Sequence, residues 1–155
     1  SKNYCVPGWR CGWSLVYNTH GYFDTIMEHM AKHATILIHP NSLVQHALPK
    51  ILKETPESHF ENLKSKLKSA TDEAYDKLEN INGLTPIKAS AAMYMMVKID
   101  FSKFKDIDGD VDFCQKLLKE QNCFTFPSTC FYSDGAFRMI TCTTPEIIGD
   151  FAERL

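Results

Sequence analysis

The sequence is poor in the features that most readily announce a function. It has no run of about 20 apolar residues, so no membrane span is expected. No basic-then-apolar leader opens it, which predicts no signal peptide. No block of Lys or Arg stands out, and the formal net charge is −2, so nothing in the charge attracts nucleic acid or an anionic membrane. The densest basic run, Lys64, Lys66 and Lys68, is interleaved with Glu61 and Asp72 and reads as a solvated helix face. The six cysteines (Cys5, Cys11, Cys114, Cys123, Cys130 and Cys142) form no C-x-x-C pair. A chain of 155 residues needs no disulfides to hold a core, so free thiols in a reducing compartment are expected. No Gly-x-Gly-x-x-Gly, P-loop or Gly-x-Ser-x-Gly occurs, nor any internal repeat or low-complexity segment.

What is present is a globular composition, 44% apolar and 23% charged. Arg10 to Tyr17 reads as a strand after a Pro7-Gly8 turn. From Tyr22 the apolar residues Phe23, Ile26, Met27, Met30 and Ala34 follow helical spacing. Ser42 is placed to cap a second helix carrying Leu43, Val44, Ala47 and Leu48. Thr55-Pro56-Glu57 has the chemistry of a helix start: a hydroxyl, then proline, then an acid in the first turn. The stripe Phe60, Leu63, Leu67, Ala70, Ala74 and Leu78 carries that helix for about 25 residues, and Asn82-Gly83 ends it. Beyond it the texture turns to mixed helix and strand. Strands are expected at 92–100, 123–126 and 137–143, and a helix at 110–121 with Val111, Cys114, Leu117 and Leu118 on one side. Thr144-Pro145-Glu146 opens a last helix.

Two metal patterns fail. Asp106, Asp108, Asp110 and Asp112 resemble a calcium loop, but the glycine falls at its fourth position and Leu117 stands where the bidentate Glu belongs. His29 and His33 have ligand spacing, yet nothing nearby completes a set, and ordinary histidines are expected. Three groups remain for chemistry. Lys2 alone reads as a frayed terminus, and Arg10 as a turn residue stacked on Trp9 or Trp13. Strand alternation puts Arg138 on one face with Ile140 and Cys142, so it emerges from an otherwise apolar face and needs an anionic partner.

Together these residues say more. Lys2, Val6-Pro7-Gly8-Trp9-Arg10 and Gly12-Trp13 closely resemble the lysine segment of class I pyridoxal-phosphate aminotransferases, and the lysine-to-arginine separation is the family's own. Gln45-His46-Ala47-Leu48 resembles the family's Gln-x-Ala-Leu, and Ser90 to Val97 its Ser-Gly-Ala-Met-Tyr-x-Met-Val strand. Pro127-Ser128-Thr129-Cys130-Phe131 resembles its Pro-Ala-Thr-Cys-Phe, and Arg138 falls where the family has its carboxylate-binding arginine. The matches are collinear over nearly the whole chain, and they resemble the branch of the family that acts on tyrosine.

The resemblance implies an α/β fold of the PLP-dependent transferase type (fold type I), with this chain its C-terminal part. Residues 1–54 would be the tail of the large cofactor-binding domain, 55–80 a long interdomain helix, and 81–155 a small α+β domain truncated in its last helix. The cofactor would be pyridoxal 5′-phosphate, and the reaction an amino transfer between an amino acid and a 2-oxo acid. The full-length enzyme would be a cytoplasmic homodimer, without metal, nucleic acid or membrane. Lys2 would hold the cofactor and then shuttle a proton, Arg10 would pair with its phosphate, and Arg138 would clamp the substrate α-carboxylate. The family's partner for the pyridine nitrogen and its phosphate loop lie ahead of the lysine, so residues 1–155 alone are expected to be inactive.

Three departures are visible. Cys5 and Cys11 stand where the family has small or aliphatic residues, and Ala91 replaces a glycine, at a cost of about 1 kcal/mol if that position needs a positive φ. An alanine-type transaminase or carbon–sulfur lyase of the same fold would share the lysine and both arginines. A non-catalytic domain is the alternative from a different class.

Overall fold

A computed structural model describes residues 1–155, apart from the side chain of Leu37. The chain divides into two compact units, residues 1–61 and 62–155.

Residues 1–61 open with a turn in which Lys2 O accepts from Cys5 N and Ser1 O from Val6 N, each at 3.0 Å. One 3₁₀ turn, Pro7–Trp9, follows. The strand expected at Arg10 to Tyr17 does not form. A strand must give its N–H and C=O groups to a neighbour, and among the described residues this unit contains no strand. Helix α1 spans Asp24–Leu37 and starts later than Tyr22, because Asn18 Oδ1 takes the Phe23 N–H at 3.0 Å and holds a loop. Helix α2 spans Ser42–Glu54. Its cap is Asn41 rather than Ser42: Asn41 Oδ1 accepts from Leu43 N at 2.9 Å and Val44 N at 3.4 Å. The Thr55 hydroxyl donates back to Ile51 O at 2.6 Å, at the close of α2. No described side chain in this unit is buried, and the apolar stripe of α1 (Ile26, Met27, Met30) is exposed.

Helix α3, Glu57–Leu78, begins in the first unit and continues into the second. Past it, Gly83 turns the chain with φ +95°; a Cβ there would lie 2.8 Å from Phe104 Cε2, so only glycine fits. Then come β1 (Leu84–Ile87), β2 (Tyr94–Ile99), α4 (Gly109–Gln121), β3 (Phe126–Pro127), β4 (Ala136–Ile140) and α5 (Pro145–Glu153). The sheet is antiparallel throughout, in the order β1-β2-β4-β3. Strand β1 has no counterpart in the sequence reading, because Pro86 masks it. The position is permitted because β1 is an edge strand.

One face of this sheet is the core. Met95 and Val97 of β2 with Phe137 and Met139 of β4 pack among Ala70, Ala74 and Leu78 of α3, Phe113, Cys114 and Leu117 of α4, and Ile148 of α5. Phe137 is fully buried and stacks on Phe113 with centroids 5.4 Å apart. On α4 the inward side only partly matches the one that the spacing implies: Cys114 and Leu117 are buried, Val111 and Leu118 are not. Val111 and Leu118 are each 43% exposed, while Phe113 and Asp110 turn inward. The buried hydroxyls of Thr71 and Thr141 satisfy each other at 3.1 Å. All six cysteines are free. Among the described residues no helix is long and apolar enough to cross a membrane.

Truncating Phe137 empties the centre of this layer. Phe137→Ala is expected to cost about 3–5 kcal/mol in urea denaturation. A loss under about 1 kcal/mol would mean the ring is not buried as described.

Candidate functional site

The opposite face of the sheet carries Arg138. Alternation along β4 sends Phe137 and Met139 into the core and Arg138 and Ile140 outward, as the sequence pattern requires. Arg138 lies opposite Met96 of β2 and Phe126 of β3. Its Cζ is 4.1 Å from the Phe131 ring centroid, 4.4 Å from Tyr94 and 5.2 Å from Phe126. Its Nε is buried without a hydrogen-bond partner. Among the described residues no carboxylate pairs with it.

Such a group is half-solved. Each ring face attracts the cation by about 0.5–2 kcal/mol. Leaving a buried donor unmade costs about 1–3 kcal/mol, more when it is charged. The rings fix the plane of the guanidinium and the fork still lacks an acceptor. A planar anion that accepts two parallel hydrogen bonds, which is to say a carboxylate, completes it.

Lys2 and Arg10 belong to the other unit. Both are exposed, and neither makes an ion pair among the described residues. Arg10 Nη1 donates to Pro7 O at 3.1 Å, which leaves most of its N–H groups available. The backbone that carries them is unusual: Cys5 and Arg10 both adopt positive φ, 56° and 52°, where non-glycine residues are uncommon. Strain of this kind, held between a lysine and an arginine, is typical of sites where placement matters. An exposed amine can react with a carbonyl, and an exposed guanidinium can pair with an anion.

A further residue escaped sequence reasoning. Asp110, in the first turn of α4, is in the sequence one acid among several of a failed calcium pattern. It is 6% exposed. Its Oδ2 accepts from Ser128 Oγ at 2.9 Å and Thr129 N at 2.8 Å, and its Oδ1 from Thr129 Oγ1 at 2.6 Å. Ser128 Oγ in turn accepts from Ala136 N at 3.0 Å. The one available signal was its place at a helix start, where an acid is favoured. Positive backbone also appears at Ala92, φ 68°, one residue past the alanine that replaces the family's glycine; Ala91 itself is not strained.

The structure thus sets a half-buried arginine, its Nε unpaired among three rings, on a small antiparallel sheet backed by helices. Over residues 1–155 the chain matches the model for aminotransferase class I and II, and it belongs to that family. It is 37% identical over 149 residues to the tyrosine aminotransferase of Mus musculus, covering 96% of this chain and 33% of that protein. It is 35% identical over 159 residues to a cystine lyase of Arabidopsis thaliana, covering 37% of that protein. The crystal structure of tyrosine aminotransferase from Leishmania infantum superposes with TM-score 0.85 at 26% identity, over 96% of this chain and 36% of that one. The chain thus spans about a third of the length of the relatives it matches.

Burial alone would raise the Asp110 carboxyl, but the hydrogen bonds from Thr129, Ser128 and Val111 outweigh it and hold the group below its ordinary 3.8. A carboxyl depressed by folding stabilises fully above its ordinary value, and that stability is lost as pH falls through the folded value. Wild-type stability is therefore expected to fall below about pH 4 more steeply than that of Asp110→Asn. Parallel pH profiles in urea denaturation would show that Asp110 is not held ionised.

Proposed function

We propose that the chain forms part of an enzyme that transfers an amino group between an amino acid, tyrosine-like, and a 2-oxo acid. The observation that carries this is Arg138, ringed by Tyr94, Phe126 and Phe131 with its Nε unpaired. Substrates of both kinds carry a carboxylate, and the fork orients them by it.

The donor set fits pyridoxal 5′-phosphate. Lys2 supplies a free amine for its carbonyl, and Arg10 a guanidinium for its phosphate. When bound, that cofactor supplies an electron-accepting ring that no side chain provides. Lys2 Nζ is then the group to take the proton from the substrate Cα and return it. A lysine suits that work because its amine is flexible and titrates readily when enclosed. Arg10 stays charged throughout and serves as an anchor. Residues 1–54, 55–80 and 81–155 are read as the end of a large domain, a connecting helix and a small domain. The same reading takes the enzyme as a cytoplasmic homodimer, and six free thiols are in keeping with a reducing compartment.

A lyase reading has support of nearly equal weight, since the cystine lyase is 35% identical. The lysine and both arginines serve either reaction.

In the full-length polypeptide, tyrosine with 2-oxoglutarate is expected to be transaminated. Release of ammonia and a 2-oxo acid from cystine, without transamination, would favour the lyase. Alanine accepted and tyrosine refused would move the specificity instead. Lys2→Ala is expected to abolish turnover and the visible absorbance of the bound cofactor. Arg138→Ala is expected to raise KM for α-carboxylate substrates about a hundredfold; an unchanged KM removes Arg138 from the site. Residues 1–155 alone are expected to turn over nothing, because no buried side chain in residues 1–61 holds Lys2 and Arg10 in place. Stoichiometric cofactor binding by that piece would contradict this.

A further inference from the structure

The rings around Arg138 are not equally secured. Phe126 lies on β3, directly paired with β4, and Tyr94 lies on β2, the other neighbour of β4. Phe131 lies on no strand. It ends the short 3₁₀ turn Ser128–Phe131, between β3 and β4, and the residue is 41% exposed. Yet Phe131 makes the closest ring contact to the guanidinium, 4.1 Å. Something other than sheet pairing must fix that turn.

Asp110 is placed to do so. Three of its hydrogen bonds come from the first two residues of the turn, Ser128 and Thr129. The fourth link runs through Ser128 Oγ to Ala136 N, the first residue of β4. Start and end of the loop 128–136 are thus tied to one carboxylate on α4. Ser128 is fully buried, so no water competes for its hydroxyl.

We infer that Asp110 is a positioning residue for the carboxylate clamp: by fixing the turn Ser128–Phe131 it holds the Phe131 ring over Arg138 and so sets the plane of the guanidinium that receives substrate. The inference rests on the reading of Arg138 as the clamp. Asp110 touches neither substrate nor cofactor and acts only through Phe131. Asparagine in its place keeps the shape, but one oxygen becomes an NH₂ facing donors, which leaves a Thr129 or Ser128 donor unmatched.

The test reads the arginine and the ligand separately, in the full-length polypeptide. The Nε–H resonance of Arg138, assigned by its disappearance in Arg138→Gln, is expected to be shifted upfield by the surrounding rings. Asp110→Asn and Thr129→Val are each expected to move it back toward the free-arginine position. Each is also expected to weaken 2-oxoglutarate binding about tenfold. Thr129→Val keeps the Asp110 charge and the backbone donor, so it serves if Asp110→Asn does not fold. A role confined to stability would lower the melting temperature and leave the resonance in place. An unmoved resonance in a folded variant overturns the inference, whatever binding does. A resonance that moves while Arg138→Gln binds 2-oxoglutarate as wild type does overturns the clamp reading itself, and the inference falls with it.

Discussion

The site turns on one unbalanced charge. Arg138 emerges from the sheet face opposite the core, is enclosed by three aromatic rings, and keeps a buried Nε without a partner. Ring faces offset part of the loss of water, by about 0.5–2 kcal/mol each, but they accept no directional hydrogen bond comparable to a carboxylate's. The guanidinium is therefore oriented and unsatisfied together, which is the condition for binding a planar anion tightly and in one pose. Everything around it serves that condition. The helices bury the other face of the sheet, β2 and β3 flank β4, and the turn Ser128–Phe131 closes the rings.

Lys2 and Arg10 are placed by a different device. Among the described side chains of residues 1–61 none is buried. Two consecutive turns and two residues in positive φ set their spacing, and both side chains reach solvent. Exposed apolar residues run through the same unit, from Trp9 to Leu52. Residues 62–155 have a buried core of their own; residues 1–61 do not.

Periodicity alone located α1 to α5 to within a few residues, because each carries an apolar stripe or a start signal in the chain itself. It placed Arg138 on the outward face of β4, because alternation is a property of single strands. The family resemblance rested on short motifs that local spacing preserves. What failed depended on partners far along the chain. Arg10 to Tyr17 has strand-like residues and no neighbour to pair with. Strand β1 contains Pro86 and is tolerated only because it lies at the edge. Val111 and Leu118 fit a stripe on paper and face outward, since Phe113 and Asp110 find better partners inside. The value of Asp110 lay in Ser128 and Thr129, about twenty residues on, which no local pattern links to it.

The central claim is that Arg138 receives the substrate carboxylate. The direct measurement is a crystal structure of the full-length polypeptide with a 2-oxo acid bound. Both carboxylate oxygens are expected within about 3 Å of two nitrogens of the Arg138 guanidinium, with the Phe131 ring still against its face. A carboxylate held by another cation, with Arg138 left unpaired between its rings, would contradict the account.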